Sequence, residues 1–248
     1  MRNEWKRVFT FLAVMVLDSI LQAEEKCPIE VKLLLSPPTI QTVIASLSFG
    51  KKTATQVYFF DTDALDLLKQ GVIVRVRQGA DNDLTVKVRV PEGQQVGRQL
   101  REHFACETDR TRTGENTSYA VQGKYKAPQV PERGREISSL LNPSQRRLLR
   151  EARVSIDWTR VMRIAKIKST KWETTAESRF RKLTMELWEW PRGNILELST
   201  KAGPDEGQSK DAELQRLLST KGLSLNASQG TKTTMVLETL TDHSPTPK

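Results

Sequence analysis

Taken two residues at a time, residues 72–90 separate into two unlike faces. Val72, Val74 and Val76 fall on one side and Ile73, Arg75 and Arg77 on the other. Beyond a turn at residues 79–83, Leu84, Val86, Val88 and Val90 continue the apolar side, and Thr85, Lys87 and Arg89 the basic one. Period-2 alternation around a Gly/Asp/Asn turn predicts a β-hairpin. The same alternation predicts strands over residues 29–35, 56–60, 99–109, 154–158, 161–168, 182–190 and 194–201. Helical spacing appears at Ile40, Val43, Ile44 and Leu47. It returns over residues 63–70, with Asp61-Thr62 able to cap the start and Gly71 to close the end. Residues 136–152 form a helix broken and restarted at Asn142-Pro143-Ser144, where proline suits a first turn. Two more helices follow at residues 212–220 and 233–240. Residues 110–123 read as a long loop or edge hairpin, 128–134 as a connector and 241–248 as a frayed end.

About eight strands, each with one apolar and one charged face, pose a packing problem. Helices can cover the apolar faces, but the charged ones carry too many cations to pack together dry. Solvent could cover them, as on the outer face of an antiparallel sheet. A barrel closed around a wet channel also satisfies both faces. The expected fold is therefore α+β: a closed or nearly closed eight-stranded antiparallel β-barrel, with helices packed outside.

Composition sharpens this picture. The 248 residues carry a formal charge of +9, with 37% hydrophobic residues, which points to an anionic partner. Residues 1–23 have the layout of a secretory signal peptide, with basic Arg2, Lys6 and Arg7, an apolar run over 8–21 and a small residue at Ala23. Asp18 interrupts the run, which leaves an uncleaved anchor as the alternative. Residues 24–248 then form one domain, exported to a periplasmic or external compartment and free of the membrane after cleavage. Cys27 and Cys106 are the only thiols; in an oxidising compartment they could pair, and two free buried cysteines are the other reading. Two cysteines with His103 and His243 do not make a usual structural zinc site.

The order of motifs resembles the CYTH superfamily of triphosphate tunnel metalloenzymes. Pro28-Ile29-Glu30-Val31-Lys32 stands where that family has Glu-x-Glu-x-Lys, and Tyr58-Phe59-Phe60-Asp61-Thr62 resembles its Tyr-Phe-Asp-Thr segment. Val74-Arg75-Val76-Arg77 and Leu84-Thr85-Val86-Lys87 match its paired basic strands. Glu197-Leu198-Ser199-Thr200-Lys201 and Thr231-Lys232-Thr233 look like its distal half. The resemblance implies a tunnel for a triphosphate, polyphosphate or other phosphorylated small molecule, with Mg²⁺ or Mn²⁺ bridging the phosphates. Arg75, Arg77, Lys87, Lys166, Lys168, Lys201 and Lys232 would bind phosphate oxygens. Lys32, Glu107 and Glu186 would form the catalytic set, and Glu30 and Glu197 would hold the metal, with Glu107 and Glu186 behind them. Arg89 and Arg101 would lie nearer the mouth, His103 would share the inward face, and Trp188 could stack on a base. Two departures stand out: Pro28 replaces the family's first acid, and Ser199 stands where a paired acid is usual.

Three functions follow as expectations. The first is metal-dependent hydrolysis of a triphosphate or polyphosphate, with adenylyl cyclisation as a variant that an exported location disfavours. The second is a catalytically impaired binder of polyphosphates or organophosphates. The third is a basic nucleic-acid-binding barrel, the least favoured of the three.

Overall fold

The computed structural model describes residues 26–36, 40–91, 94, 96–174 and 183–241. The expected export signal and the tail at 242–248 lie outside the described residues. Nine strands form the barrel: β1 (Ile29–Leu35), β2 (Phe49–Asp61), β3 (Val72–Gly79), β4 (Asp83–Val90), β5 (Cys106–Thr111), β6 (Gly114–Lys124), β7 (Met162–Thr174), β8 (Leu183–Trp190) and β9 (Gly193–Ala202). They close in the order β1-β5-β6-β4-β3-β2-β7-β8-β9, with β9 pairing back onto β1. Every ladder is antiparallel except β1 with β5.

The barrel expectation holds, but the expected eight antiparallel strands become nine in a mixed sheet. Residues 110–123 were the segment that hid the difference. They complete β5 and form β6, whose inward residues Ser118, Ala120 and Gln122 line a wet cavity and therefore show no apolar alternation. Residues 99–109 also divide differently, because Leu100 is buried under a short helix before β5 starts. Residues 154–158 form no strand.

Among the described residues, seven helices accompany the strands: α1 (Ile40–Leu47), α2 (Asp66–Lys69), α3 (Arg98–His103), α4 (Gly134–Leu140), α5 (Pro143–Glu151), α6 (Gly207–Thr220) and α7 (Lys232–Thr241). Asp61 does act at the start of α2: its carboxylate accepts N–H bonds from Thr62, Leu67 and Leu68. Gly71 then turns the chain at φ +75°, where a Cβ would stand 2.8 Å from the Arg89 carbonyl. The break at residues 142–144 is a capping box. Asn142 and Gln145 satisfy each other's backbone N–H groups. Gln145 Nε2 also donates to the Leu84 carbonyl (2.6 Å), which ties α5 to β4.

The apolar residues form three clusters. Two lie outside the barrel, one under α4 and α5 against β3 and β4, the other under α1 and α6 against β1, β8 and β9. The third is inside. Leu34, Val57, Phe59, Ile73, Ala165, Ile167, Trp188 and Ile195 sit on inward faces, all toward the same end of the barrel, and pack with Val236 and Leu237 of α7. An apolar plug and a helix thus close one end, and the inward faces turn polar toward the other. The Cys27–Cys106 disulfide joins the chain just before β1 to the first residue of β5, with Cα atoms 5.4 Å apart.

Candidate functional site

The polar part of the lumen is a cavity of about 560 Å³. Eight cations line it: Lys32, Arg75, Arg77, Lys87, Arg89, Lys171, Lys201 and Lys232. Six carboxylates face them: Glu30, Glu107, Asp109, Glu173, Glu186 and Glu197. They come from separate strands and from the start of α7, because every second residue of a strand in a closed barrel points inward.

Across the β1–β5 seam lies an acid cluster. Carboxylate oxygens of Glu30, Glu107 and Asp109 lie within 4.8 Å of one another. Lys32 reaches Asp109 at 2.6 Å and Glu30 at 3.1 Å; Lys87 reaches Asp109 at 3.3 Å. Lys201 pairs with Glu107, and the Ser199 hydroxyl donates to Glu30 at 3.0 Å. Burial raises the Asp109 pKa, but Lys32 and Lys87 outweigh it and hold the carboxyl at about 2. Burial likewise opposes ionisation of Glu30, yet Lys32 and Lys201 bring its pKa below the usual value. Lys32 is lowered by burial and raised more strongly by Asp109, Glu30 and Glu197, so it stays an ammonium. The donor set is oxygen only, and three carboxylates within reach of one point suit a hard divalent cation that keeps some waters.

Deeper, Lys232 of α7 is the hub. Its ammonium contacts Glu186 and lies 2.8 Å from Glu197, 4.7 Å above the Trp188 ring. Glu186 also accepts from Ser169 Oγ (2.6 Å) and Trp188 Nε1 (2.8 Å). Burial pushes Glu186 up, but Lys232 and these bonds bring its carboxyl to about 2. Glu197 is only 4% exposed and its Oε2 has no hydrogen-bond partner; burial raises its pKa despite Lys232 and Lys32.

The remaining wall is set by β3 and β4. Arg77 Nε donates to Asp83 at 2.6 Å, and the Thr85 hydroxyl donates to the other oxygen of Asp83. Arg89 reaches back to the hydroxyls of Thr231 (3.0 Å) and Thr234 (2.9 Å), so it fastens α7 rather than standing at the mouth. Arg75 differs: its Nε has no partner, and burial, followed by the nearby Arg77, lowers its pKa.

Of the residues singled out in the sequence, Lys32, Arg75, Arg77, Lys87, Lys201, Lys232, Glu30, Glu107, Glu186 and Glu197 come together in the cavity. Lys166 and Lys168 do not. On β7 the inward set is Ile167, Ser169, Lys171 and Glu173, and the two lysines lie on the outer face, Lys168 paired to Glu189 at 2.9 Å and Lys166 beside Tyr58. Glu197 stands with Lys232 and Glu186, outside the three-carboxylate cluster. Arg101 and His103 are exposed on α3, with His103 Nδ1 bonded to the Gln99 carbonyl oxygen at 2.9 Å. Asp109 and Lys171 carried the missing signal. Asp109 ends the expected strand 99–109 on the Glu107 face, and Lys171 lies past the expected end of the strand at 161–168, on the face opposite Lys166 and Lys168.

Acid should weaken this site in a defined window. Asp109 and Glu186 have folded pKa values below those of the unfolded chain, so their contribution is complete above about pH 4.5 and is lost as pH falls toward 2. These drops correspond to roughly 2 kcal/mol for Asp109 and roughly 3 kcal/mol for Glu186. Glu197 acts with the opposite sign, because protonation suits its buried position. Melting curves between pH 5 and 2 should show a steep fall that Asp109→Asn makes shallower. The same slope in the variant would remove Asp109 from this account.

No protein-family model and no curated protein matches the sequence. Solved structures do share its shape. A Hippeastrum protein, HpAC1, named as an adenylyl cyclase and described as having a dominant triphosphatase activity, superposes with a TM-score of 0.57 at 18% identity, over 85% of this chain and 94% of that one. A Bacillus halodurans protein named as an adenylate cyclase gives 0.55 at 17% identity, over 85% and 97%. At these identities the likeness establishes a shared barrel fold.

Proposed function

We propose that the chain belongs to the CYTH superfamily and hydrolyses a triphosphate or short polyphosphate, with Mg²⁺ or Mn²⁺, in its blind cavity. One observation carries this reading: eight cations from five strands and one helix converge on a single enclosed space. The name of the Hippeastrum protein, with its triphosphatase activity, supports the same class of substrate.

Among the described residues the lining carries eight positive against six negative charges, a modest excess for a triphosphate that carries four or five. A divalent ion held by Glu30, Glu107 and Asp109 would supply the missing positive charge and polarise a phosphate oxygen. The residues of the chain have separate tasks. Phosphoryl transfer needs positioning and charge neutralisation more than a covalent nucleophile. Arg75, Lys87 and Lys201 are placed to hold phosphate oxygens, with Arg77 beside them. Lys32, fixed as an ammonium by Asp109 and Glu30, serves as a charge and not as a base. Glu186, a carboxylate with a pKa near 2, is too weak a base to take a proton from water and instead fixes Lys232. Glu107, at the outer edge of the acid cluster, is the remaining carboxylate for orienting water.

A second reading is a phosphate binder without turnover. It is favoured by Ser199, which offers Glu30 a hydroxyl where a further acid would help bind metal, and by Pro28, whose carbonyl accepts from the Thr108 N–H as part of the β1–β5 seam. Phosphate release from tripolyphosphate separates the two. Turnover that requires Mg²⁺ or Mn²⁺ and stops with chelator supports hydrolysis. Thermal stabilisation by tripolyphosphate without release supports the binder, and neither effect would dismiss both. Export, which the expected signal implies, remains part of the proposal; a disulfide between Cys27 and Cys106 accords with an oxidising compartment.

A further inference from the structure

The barrel is weakest where its acids meet. β1 and β5 pair only through Ile29↔Thr108, Glu30↔Asp109 and Val31↔Arg110, the shortest ladder among the described strands and the one parallel one. Parallel pairing is slightly less stable per residue. The middle pair of this ladder places the carboxylates of Glu30 and Asp109 side by side, and Glu107 follows Cys106 directly. Like charges directly opposite one another push strands apart. Lys32 opposes this from within, bridging Glu30 and Asp109. One covalent bond also spans the seam: Cys27 to Cys106, two residues before β1 and at the first residue of β5. Both cysteines are partly exposed, and Cys106 lines the cavity.

We infer that the Cys27–Cys106 disulfide is a positioning element for the acid cluster, so that its redox state sets how tightly the protein binds a divalent cation. This rests on the reading of Glu30, Glu107 and Asp109 as cation ligands. The chemistry is thiol–disulfide exchange with a dithiol. Its thiolate attacks one sulfur, the Cys27–Cys106 bond breaks, and closure of the reductant's own disulfide releases the second thiol. The protein gains two electrons and two protons, and the dithiol loses them. With the link cut, three residue pairs, the hydrogen bond from the Thr108 N–H to the Pro28 carbonyl and the ion pairs of Lys32 and Lys201 are left to hold the carboxylates in register. The β9 side of β1, paired from Ile29 to Leu35, keeps the barrel together. The cluster therefore loosens without unfolding the fold.

The test is Mn²⁺ binding by the full chain, followed by electron paramagnetic resonance, with the disulfide intact and after reduction. The oxidised chain is expected to bind, Glu30→Gln is expected not to, and the reduced chain is expected to bind about tenfold more weakly. Failure of the oxidised chain to bind Mn²⁺, or unaltered binding by Glu30→Gln, would remove the assignment of the cluster itself. Binding by oxidised chain with equal affinity after reduction would overturn the disulfide's role while leaving that assignment standing. A reciprocal measurement guards against a fold effect. If the link favours Mn²⁺ about tenfold, saturating Mn²⁺ must favour the link by the same factor in a dithiol redox buffer. That shift should vanish in Glu30→Gln. Tryptophan fluorescence is read on the same samples, and loss of the native signal on reduction would show that the bond holds the whole fold, which also overturns the proposal.

Discussion

Replacing Lys232 by alanine is expected to cost about 3–5 kcal/mol of stability, the usual penalty for leaving a buried carboxylate without its partner. The side chain of Lys232 is 11% exposed and that of Glu197 5%, so water offers little compensation. Glu186 keeps two other donors, Ser169 and Trp188 Nε1, whereas Glu197 keeps none among the described residues. Glu197 should therefore be the group that suffers. For a chain of this size each kcal/mol lowers the melting temperature by roughly 2–4 °C, which makes the expected fall about 10 °C. The pH dependence identifies the cause. With its cation gone, the folded pKa of Glu197 rises further above the unfolded value. Its share of stability is then present below about pH 4.5 and lost as pH climbs through the folded pKa. The variant should accordingly be hurt more at pH 8 than at pH 5. Adding Glu197→Gln should restore more than half of the loss. Urea unfolding at the two pH values checks both statements. A loss under 1 kcal/mol, or one that is insensitive to Glu197→Gln, would mean that Lys232 is not the counterion of a buried acid.

How much of this arrangement was legible in the sequence depended on the side of the barrel wall. The hairpin of β3 and β4 could be read completely, because Val72, Val74, Val76, Val86 and Val88 face an outer core while Arg75, Arg77 and Lys87 face inward. Apolar against basic is the strongest contrast that alternation can offer. Strand β7 misled for the opposite reason. Its inward residues include Ala165 and Ile167, which join the apolar plug, while Lys166 and Lys168 face outward. The polarity of the two faces is reversed at that end of the strand, and a basic-means-inward rule chooses the wrong set. Strands β5 and β6 were blurred because both of their faces are mostly polar. The plug itself could not be seen from any single strand. Leu34, Phe59, Ile73, Trp188 and Ile195 come from five different strands and all meet only when the barrel closes. Asp109 was similarly hidden, since its importance comes from standing opposite Glu30 across a parallel seam.

Arg75 is expected to behave in the reverse manner to Lys232, and the contrast tests whether the cavity is built for a ligand. Every other lining cation among the described residues has a carboxylate or hydroxyl partner: Lys32 and Lys87 with Asp109, Arg77 with Asp83, Lys171 with Glu173, Lys201 with Glu107, Lys232 with Glu197, Arg89 with Thr231 and Thr234. No ion pair forms to Arg75 among the described residues, and its Nε is buried without a partner. A guanidinium does not escape this by losing its proton. Arg75 as a whole is half-buried, and the burial of its unpartnered Nε weakens the empty protein, with Arg77 adding repulsion. A polyanion would supply what is missing. Hydrogen bonds to a charged group are worth roughly 1.5–3 kcal/mol, so Arg75→Met should lower tripolyphosphate affinity about 10- to 100-fold. The melting temperature of the empty protein should hold or rise, since methionine fills similar space with no charge to desolvate. Titration calorimetry and a melting curve on one preparation give both numbers. Opposite signs, weaker binding with equal or greater stability, are what a preorganised anion site demands. If instead Arg75→Met melts several degrees lower and still binds tripolyphosphate as the wild type does, Arg75 is a structural cation and the cavity loses its best claim to a phosphate ligand.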